Sequence, residues 1–246
     1  MKVLISNDDG VFAPGIAALA EAFAEAGHEV VVAAPDSQRS AASHSLSLGK
    51  PLRVKEVTLG GASRAYAIGG TPADCVKLAL SRLYPQAEVV VSGVNHGHNI
   101  GTDVLYSGTV AAAMEGALLG RKAIAVSLAY SREDTYPLAA KAAVDALETM
   151  RRCPIPERSV LNLNYPDRDE ALGVVPARQR VLRYLDEYIP GVDPDGTPVY
   201  TLTGHLDPAM EKQDDDYSWL ERGYATTTVL TWDMTDDDAT NARKDA

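Results

Sequence analysis

Cysteine is scarce in this sequence, and its scarcity excludes two kinds of site. The 246 residues include only Cys75 and Cys153, which lie in apolar surroundings and do not form a CxxC pair. Two such cysteines favour buried free thiols over a disulfide framework or a zinc–cysteine site. We therefore expect a reduced protein, because thiols stay reduced in the cytoplasm.

Long apolar runs are also missing. None of the apolar stretches approaches the roughly 20 residues that a membrane-spanning helix requires. The apolar run at residues 2–6 is too short to form the core of a signal peptide. These absences predict a soluble, cytoplasmic protein that does not act at a membrane.

Basic and aromatic residues are in short supply. The formal net charge is -11 at pH 7, and so acidic a chain repels polyanions, which argues against a surface for nucleic acid polymers. A small anionic substrate is compatible with this charge if a bound metal ion supplies a local positive centre. Aromatic residues make up 6% of the chain and hydrophobic residues 46%, so we expect a core of Val, Leu, Ile and Ala.

Short apolar strands alternate with helical patterns along the chain up to about residue 164. The predicted strands cover 2–6, 29–34, 64–68, 88–92, 122–128 and 160–164, and the predicted helices cover 14–26, 71–84, 109–119 and 137–151. This alternation predicts a three-layer α/β fold with a mostly parallel sheet. Prolines and acidic turns then become frequent, which favours a β-rich arm for subunit contacts. We expect one domain, with a core at about 1–170 and a C-terminal oligomerisation extension at about 171–246.

Two adjacent carboxylates, Asp8 and Asp9, follow the first predicted strand, and Gly10 supplies a turn. Ligands of open parallel sheets bind outside the carboxyl ends of the strands. Neighbouring carboxylates repel each other unless a cation neutralises them, and oxygen-rich sites suit Mg²⁺ or Mn²⁺. The alternative is an ordinary turn with solvated acids, but the position after the first strand favours a metal site.

The loop after the second strand contains several hydroxyl groups, and Ser40 could complete a metal shell. On its own, an ordinary serine-rich loop explains this segment better. The same sheet edge would place this loop beside the first one.

A third segment, 92–109, combines three glycines spaced four apart with two asparagines at the same spacing. It is not a P-loop, because it lacks the lysine. Asn95 offers a neutral oxygen to a metal, and Asn99 offers an amide donor to a phosphate. Ser107, Gly108 and Thr109 open a helix of small residues, whose N-terminus attracts anions. A flexible glycine loop is the alternative, and the density of polar residues favours a functional site.

Histidines occur near these segments but do not have the spacing of a zinc site. His96 and His98 are separated by one residue on a loop, without a partnering cysteine or a Glu-x-x-His pattern. We expect them to be exposed residues at the mouth of a cleft.

Taken together, the motifs resemble the SurE family, the stationary-phase survival protein that is a 5′/3′-nucleotidase. The matching stretches are Ser-Asn-Asp-Asp-Gly at 6–10, Ala-Pro-Asp-x-x-x-Ser at 34–40, Gly-Thr-Pro-Ala-Asp-Cys-Val at 70–76 and Ser-Gly-Val-Asn-x-Gly-x-Asn-x-Gly-x-Asp-Val-x-Tyr-Ser-Gly-Thr-Val at 92–110. The last motif is long and specific, and the resemblance covers nearly the whole chain.

The resemblance implies a Rossmann-like fold and assigns roles to the motif residues. It implies metal ligands at Asp8, Asp9, Ser40 and Asn95, and a phosphate cradle at Asn99, Ser107, Gly108 and Thr109. It further implies one Mg²⁺ or Mn²⁺ ion, hydrolysis of nucleoside monophosphates, activity of some members on short polyphosphate, and a homodimer or homotetramer built by exchange of the C-terminal extension.

The residues and the resemblance both predict a metal-dependent phosphomonoesterase. We expect direct attack by water on the phosphate of a nucleoside 5′- or 3′-monophosphate, with Asp8 or Asp9 as the catalytic carboxylate that orients the water. A covalent mechanism of the haloacid-dehalogenase type is an alternative, but it needs Asp-x-Asp where this chain has Asn7-x-Asp9. A second alternative is a nucleotide-binding sensor without turnover. The general acid stays open, with His44 and His98 as candidates.

Overall fold

The computed structural model describes residues 1–130, 135–211 and 213–243. The strands are β1 (Lys2–Ser6), β2 (Glu29–Pro35), β3 (Val54–Val57), β4 (Arg64–Ile68), β5 (Val89–His96), β6 (Lys122–Leu128), β7 (Ser159–Tyr165), β8 (Val174–Pro176), β9 (Tyr184–Val192), β10 (Pro198–Leu206) and β11 (Ala225–Thr231). The α-helices are α1 (Pro14–Glu25), α2 (Pro72–Leu78), α3 (Gly108–Leu118), α4 (Tyr136–Arg152), α5 (Asp216–Glu221) and α6 (Asp237–Ala242). A π-helical turn (Ala79–Leu83) continues α2, and a 3-10 helix (Gly101–Leu105) precedes α3.

A nine-stranded sheet forms the centre of the protein, in the order β3-β4-β2-β1-β5-β6-β7-β11-β8. The strands from β4 to β7 are all parallel, whereas β3 and β11 run antiparallel to their neighbours β4 and β7. Helices α1 and α4 contribute to the core on one face of the sheet, and α2 and α3 contribute to the core on the other. The predicted three-layer, mostly parallel α/β fold is therefore confirmed.

Burial of the parallel strands explains why their positions could be predicted from the sequence. Strands covered on both faces are continuous apolar runs, and β2, β5 and β6 show this in their mostly buried residues. The strand β5 runs four residues beyond its predicted end because Asn95 and His96 pair with Ser127 and Leu128 of β6 after a register shift.

The C-terminal part of the chain divides between the sheet and a separate hairpin. Strands β8 and β11 extend the main sheet, whereas β9 and β10 pair only with each other. One face of this hairpin carries an exposed apolar set, Tyr188, Val192, Tyr200 and Leu202. The tail at 236–246 contains the helix α6, which buries none of its residues, and 244–246 lie outside the described residues.

The two cysteines differ in their surroundings. Cys75 is buried in α2, as predicted, but Cys153 is exposed. The prediction of a buried thiol was wrong for Cys153 because this residue caps the C-terminus of α4, where the chain leaves the helix at the surface. Within the described ranges, the helices are too short or too polar to cross a membrane.

Candidate functional site

The loops at the carboxyl ends of β1, β2 and β5 enclose a cleft of about 310 Å³. It is lined by Asp8, Asp9, Gln38, Ser40, Ala41, Asn95, His96, Gly97, His98, Asn99, Asp103, Tyr106, Ser107 and Tyr130. The structure thus brings the four predicted metal ligands into one cleft, together with Asn99 and Ser107 of the predicted phosphate cradle.

The Asn7 side chain stabilises the turn after β1, and the side chains of Asp8 and Asp9 line the cleft. The Asn7 amide nitrogen donates to the Gly10 carbonyl at 2.9 Å, and the Gly10 N–H donates to the Asn7 side-chain oxygen at 3.1 Å. Gly10 has a φ of 105°, which glycine adopts without steric cost. Because Asn7 satisfies the turn, neither Asp8 nor Asp9 is needed for it.

The Asp8 carboxylate lies buried against the N-terminus of α3. A Cβ atom on Gly108 would meet the Asp8 Cβ at 2.8 Å, so only glycine allows the helix to approach this closely. The Thr109 hydroxyl donates to Asp8 Oδ1. Burial and the neighbouring charge of Asp9 raise the pKa of Asp8 to about 6. A cation placed here would offset the cost of burying this negative charge.

Asp9 is half-buried, less so than Asp8, and is linked to Ser40 through Gln38. Burial raises the pKa of Asp9. The Gln38 amide nitrogen lies 3.5 Å from Asp9 Oδ1 and donates to the Ser40 hydroxyl at 3.0 Å. The Arg39 N–H donates to the Asp8 carbonyl at 2.7 Å, which fixes the second loop beside the first. Gln38 was missed in the sequence because it occupies one of the unspecified positions between Asp36 and Ser40.

Asn95 is the second-last residue of β5, and its side chain lines the cleft. Its amide nitrogen donates to the Gly97 carbonyl at 2.7 Å, so the atom suited to a cation is the other one, Oδ1. Two carboxylates, a hydroxyl and an amide oxygen form a set of hard oxygen donors, which suits Mg²⁺ or Mn²⁺. The described residues contain no group of three or more His, Cys, Asp and Glu side chains that could hold a metal, and this set contributes only two residues of these types, Asp8 and Asp9.

Asn99 is buried in a network of polar side chains from β6 and β7. Its side-chain amide nitrogen donates to the Ser127 hydroxyl at 2.8 Å, and its backbone N–H donates to Asn164 Oδ1 at 2.8 Å. Its carbonyl accepts from the amides of Asn162 and Asn164 at 2.8 and 3.0 Å. The network fixes the position of Asn99 at the cleft, where its amide keeps a second N–H for a ligand.

The three candidate histidines are each held by another group. His98 donates through Nε2 to the Tyr165 carbonyl at 2.7 Å, and burial lowers its pKa, which favours the neutral ring. The His96 ring stacks on Tyr130 with 4.2 Å between ring centroids. His44 donates through Nε2 to Glu115 at 3.0 Å. His96 and His98 are half-buried rather than exposed, because β5 extends to His96 and the His98 ring is hydrogen-bonded to Tyr165.

The C-terminal segment contacts the segment after β5 through several hydrogen bonds that the sequence did not reveal. The Tyr184 hydroxyl donates to Asp103 Oδ2 at 2.5 Å. The Gly101 N–H donates to Asp216 Oδ2 at 2.8 Å, and the Arg180 N–H donates to Asp216 Oδ1 at 3.1 Å. Burial raises the pKa of Asp216. These contacts brace the segment that leads from the cleft into α3.

These features define a class of protein: an open α/β sheet of the Rossmann-like type, with an acidic, oxygen-lined site at its strand ends and a helix N-terminus against that site. Comparison with known proteins gives the family. The chain belongs to the SurE family, because the family model described as survival protein SurE matches residues 3–185. The resemblance seen in the sequence motifs is thereby confirmed.

Relatives and a solved structure match nearly the full length of the chain. A protein of Synechococcus elongatus named 5′-nucleotidase SurE is 45% identical over 96% of this chain and 95% of its own length. A protein of the same name from Kosmotoga olearia is 42% identical over 94% of this chain and 92% of its own. The crystal structure of the SurE protein from Aquifex aeolicus superposes with a TM-score of 0.85 at 35% identity, covering 99% and 98% of the two chains.

Proposed function

We propose that this protein is a metal-dependent nucleotidase that hydrolyses nucleoside 5′-monophosphates to nucleoside and phosphate. The observation that carries the proposal is the buried Asp8, which lies beside Asp9 on one side and against the N-terminus of α3 on the other. The names of the relatives support a nucleotide substrate. Nucleoside 3′-monophosphates and short polyphosphate are further substrates under this proposal, because they present the same terminal phosphate to the cleft.

The residues that would hold the ion are Asp8, Asp9, Ser40 and Asn95, and the ion is Mg²⁺ or Mn²⁺. When bound, a divalent cation supplies positive charge that offsets the negative charge of the phosphoryl oxygens in the transition state.

The phosphate would be bound by the start of α3 and by Asn99. Ser107 caps this helix by accepting from the Val110 N–H at 3.1 Å. The amides of the first turn, at Gly108 and Thr109, have no partner inside the helix and therefore suit an anion. The Thr109 N–H also faces the Asp8 carboxylate. The predicted phosphate cradle, Ser107–Thr109, is therefore in contact with Asp8, one of the predicted metal ligands.

The two aspartates have different surroundings, which separates their roles. Asp8 is buried and accepts from Thr109, whereas Asp9 is half-buried and faces the cleft. We assign the orientation of the attacking water to Asp9. A covalent mechanism would need a nucleophile at position 7, and the Asn7 side chain there is buried and bonded to Gly10.

The proposal is tested by phosphate release from AMP and GMP with Mn²⁺ or Mg²⁺, with and without EDTA. We expect release that EDTA abolishes, because the carboxylate pair needs the cation. Asp9→Asn should abolish release and leave the circular dichroism spectrum unchanged, whereas Asp145→Asn, an exposed acid on α4, should keep full activity. Nucleotide binding without release from any nucleoside monophosphate would instead identify a sensor.

We further propose a homodimer or homotetramer built through the extension at about 171–246, next to a core at about 1–170. The exposed apolar face of the β9–β10 hairpin supports this arrangement. A location in the cytoplasm is consistent with two free cysteines.

A further inference from the structure

The segment 36–47, here called the Ser40 loop, has a backbone that needs support from its surroundings. Ala41 and Ser43 have φ values of 54° and 51°, which lie in the left-handed region that residues other than glycine rarely adopt. Such conformations persist only when neighbouring contacts hold them. The position of Ser40 at the cleft therefore depends on what fastens the loop.

The far side of the Ser40 loop is fastened to the segment before α3. The Ser43 N–H donates to the Tyr106 carbonyl at 3.1 Å, and the Ser43 hydroxyl donates to the Leu105 carbonyl at 2.7 Å. Further along, the Ser47 N–H donates to Asp74 Oδ1 at 3.0 Å. His44 lies between these two anchors. Its side chain pairs with Glu115, a residue in the middle of α3.

Glu115 is the buried partner of His44. Its side chain is almost completely buried, and it is held from two directions, by His44 Nε2 at 3.0 Å and by Lys77 Nζ at 2.5 Å. A buried carboxylate is costly without such partners. Glu115 lies seven residues beyond Gly108, which is about 10 Å along the helix from the end that faces the cleft.

We propose that His44 is a positioning residue that latches the Ser40 loop onto Glu115 and thereby holds Ser40 at the metal site. The inference rests on the proposed function, because it takes Ser40 as a ligand. It replaces the general-acid role considered for His44, since the ring is directed to Glu115 and does not line the cleft. The latch links the loop that supplies one ligand to the same helix that would bind the phosphate.

The chain offers a matched control, because Lys77 also binds Glu115 but belongs to α2 and not to the loop. The variants are His44→Ala, His44→Gln and Lys77→Met, and the readouts are hydrogen–deuterium exchange of residues 37–47 without metal and Mn²⁺ binding by calorimetry. His44→Ala should speed exchange in the loop and weaken Mn²⁺ binding by about tenfold or more, as losses of outer-shell partners do. Lys77→Met should leave both readouts at the wild-type values, and His44→Gln, which keeps a donor for Glu115, should restore them.

Two results would overturn the latch. One is wild-type loop exchange and Mn²⁺ binding in His44→Ala, and the other is an equal effect of Lys77→Met, which would make the buried carboxylate a purely structural anchor. The exchange measurement uses neither metal nor nucleotide. Failure of the latch can therefore be told apart from failure of the nucleotidase proposal, which is judged by phosphate release from the wild type.

Discussion

Thr109 is a fully buried threonine whose hydroxyl donates to the Asp8 carboxylate. Thr109→Val keeps the shape of the side chain but removes the donor, so the buried carboxylate loses a partner. We expect turnover to fall and the free energy of unfolding to drop by about 1–3 kcal/mol. Initial rates of phosphate release and urea unfolding measure the two effects.

Thr109→Ser is the control for this prediction, because it keeps the hydroxyl at the same position on α3. It should retain more activity than Thr109→Val. Equal activity of the two variants would show that the hydrogen bond to Asp8 does not matter for the reaction.

At this scale, the sequence predicts the residues that follow strand ends. Asp8, Ser40 and Asn95 share one cleft because parallel strands bring their carboxyl ends to the same edge of a sheet. The partners of those residues were not predictable. Gln38 contacts Asp9 across 29 positions of the chain, and His44 contacts Glu115 across 71. The apolar periodicity that predicts helices and strands carries no information about either contact.

At the scale of elements, Glu115 joins α3 to α2 and to the Ser40 loop. Burial raises the pKa of Glu115, but hydrogen bonds from His44 and Lys77 lower it by more, so it lies below its ordinary value of 4.5. Ionised Glu115 therefore stabilises the fold fully above about pH 4.5, and this contribution is lost as pH falls through the pKa of the folded state.

The consequence can be measured with Glu115→Gln. Its free energy of unfolding should lie well below that of the wild type at neutral pH, and the difference should shrink as the pH is lowered past about 4.5. Urea unfolding of both proteins across this range gives the comparison. A difference that stays constant with pH would contradict the assignment of a lowered pKa to Glu115.

Element boundaries follow the same division between local and distant causes. The strands at 64–68 and 122–128 have the predicted bounds, because their apolar runs are buried on both faces. Apolar and polar residues alternate in part of the segment 45–57, but it forms a strand only at Val54–Val57, where it pairs with β4. Its first residues belong to the Ser40 loop, which Asp74 anchors. The choice between strand and loop there depends on tertiary contacts.

At the scale of the whole molecule, the β9–β10 hairpin is an exposed element with an apolar face. Tyr188 and Leu202 are directly paired on that face, and Glu187 and Thr203 are directly paired on the other. If the hairpin joins subunits, the double variant Tyr188→Ser/Leu202→Ser should give smaller assemblies than the wild type. Light scattering after size-exclusion chromatography measures the mass.

The double variant Glu187→Ser/Thr203→Ser is the matched control, and it should keep the wild-type mass. Both variants should keep the fold of the sheet, because the paired residues are exposed and outside the cores. Equal masses of the wild type and both variants would remove the hairpin from the interface.

The bond from Gly101 to Asp216 means that the site is assembled from both sides of the hairpin. A chain truncated before Asp216 would lose this brace and the strand β11, which lies between β7 and β8. A cut in the turn between β9 and β10 would leave both in place, with the second fragment held by its pairing to β7. The hairpin tip is therefore the place where the chain can be split into complementary fragments, or extended with a fluorescent tag, while the cleft stays whole.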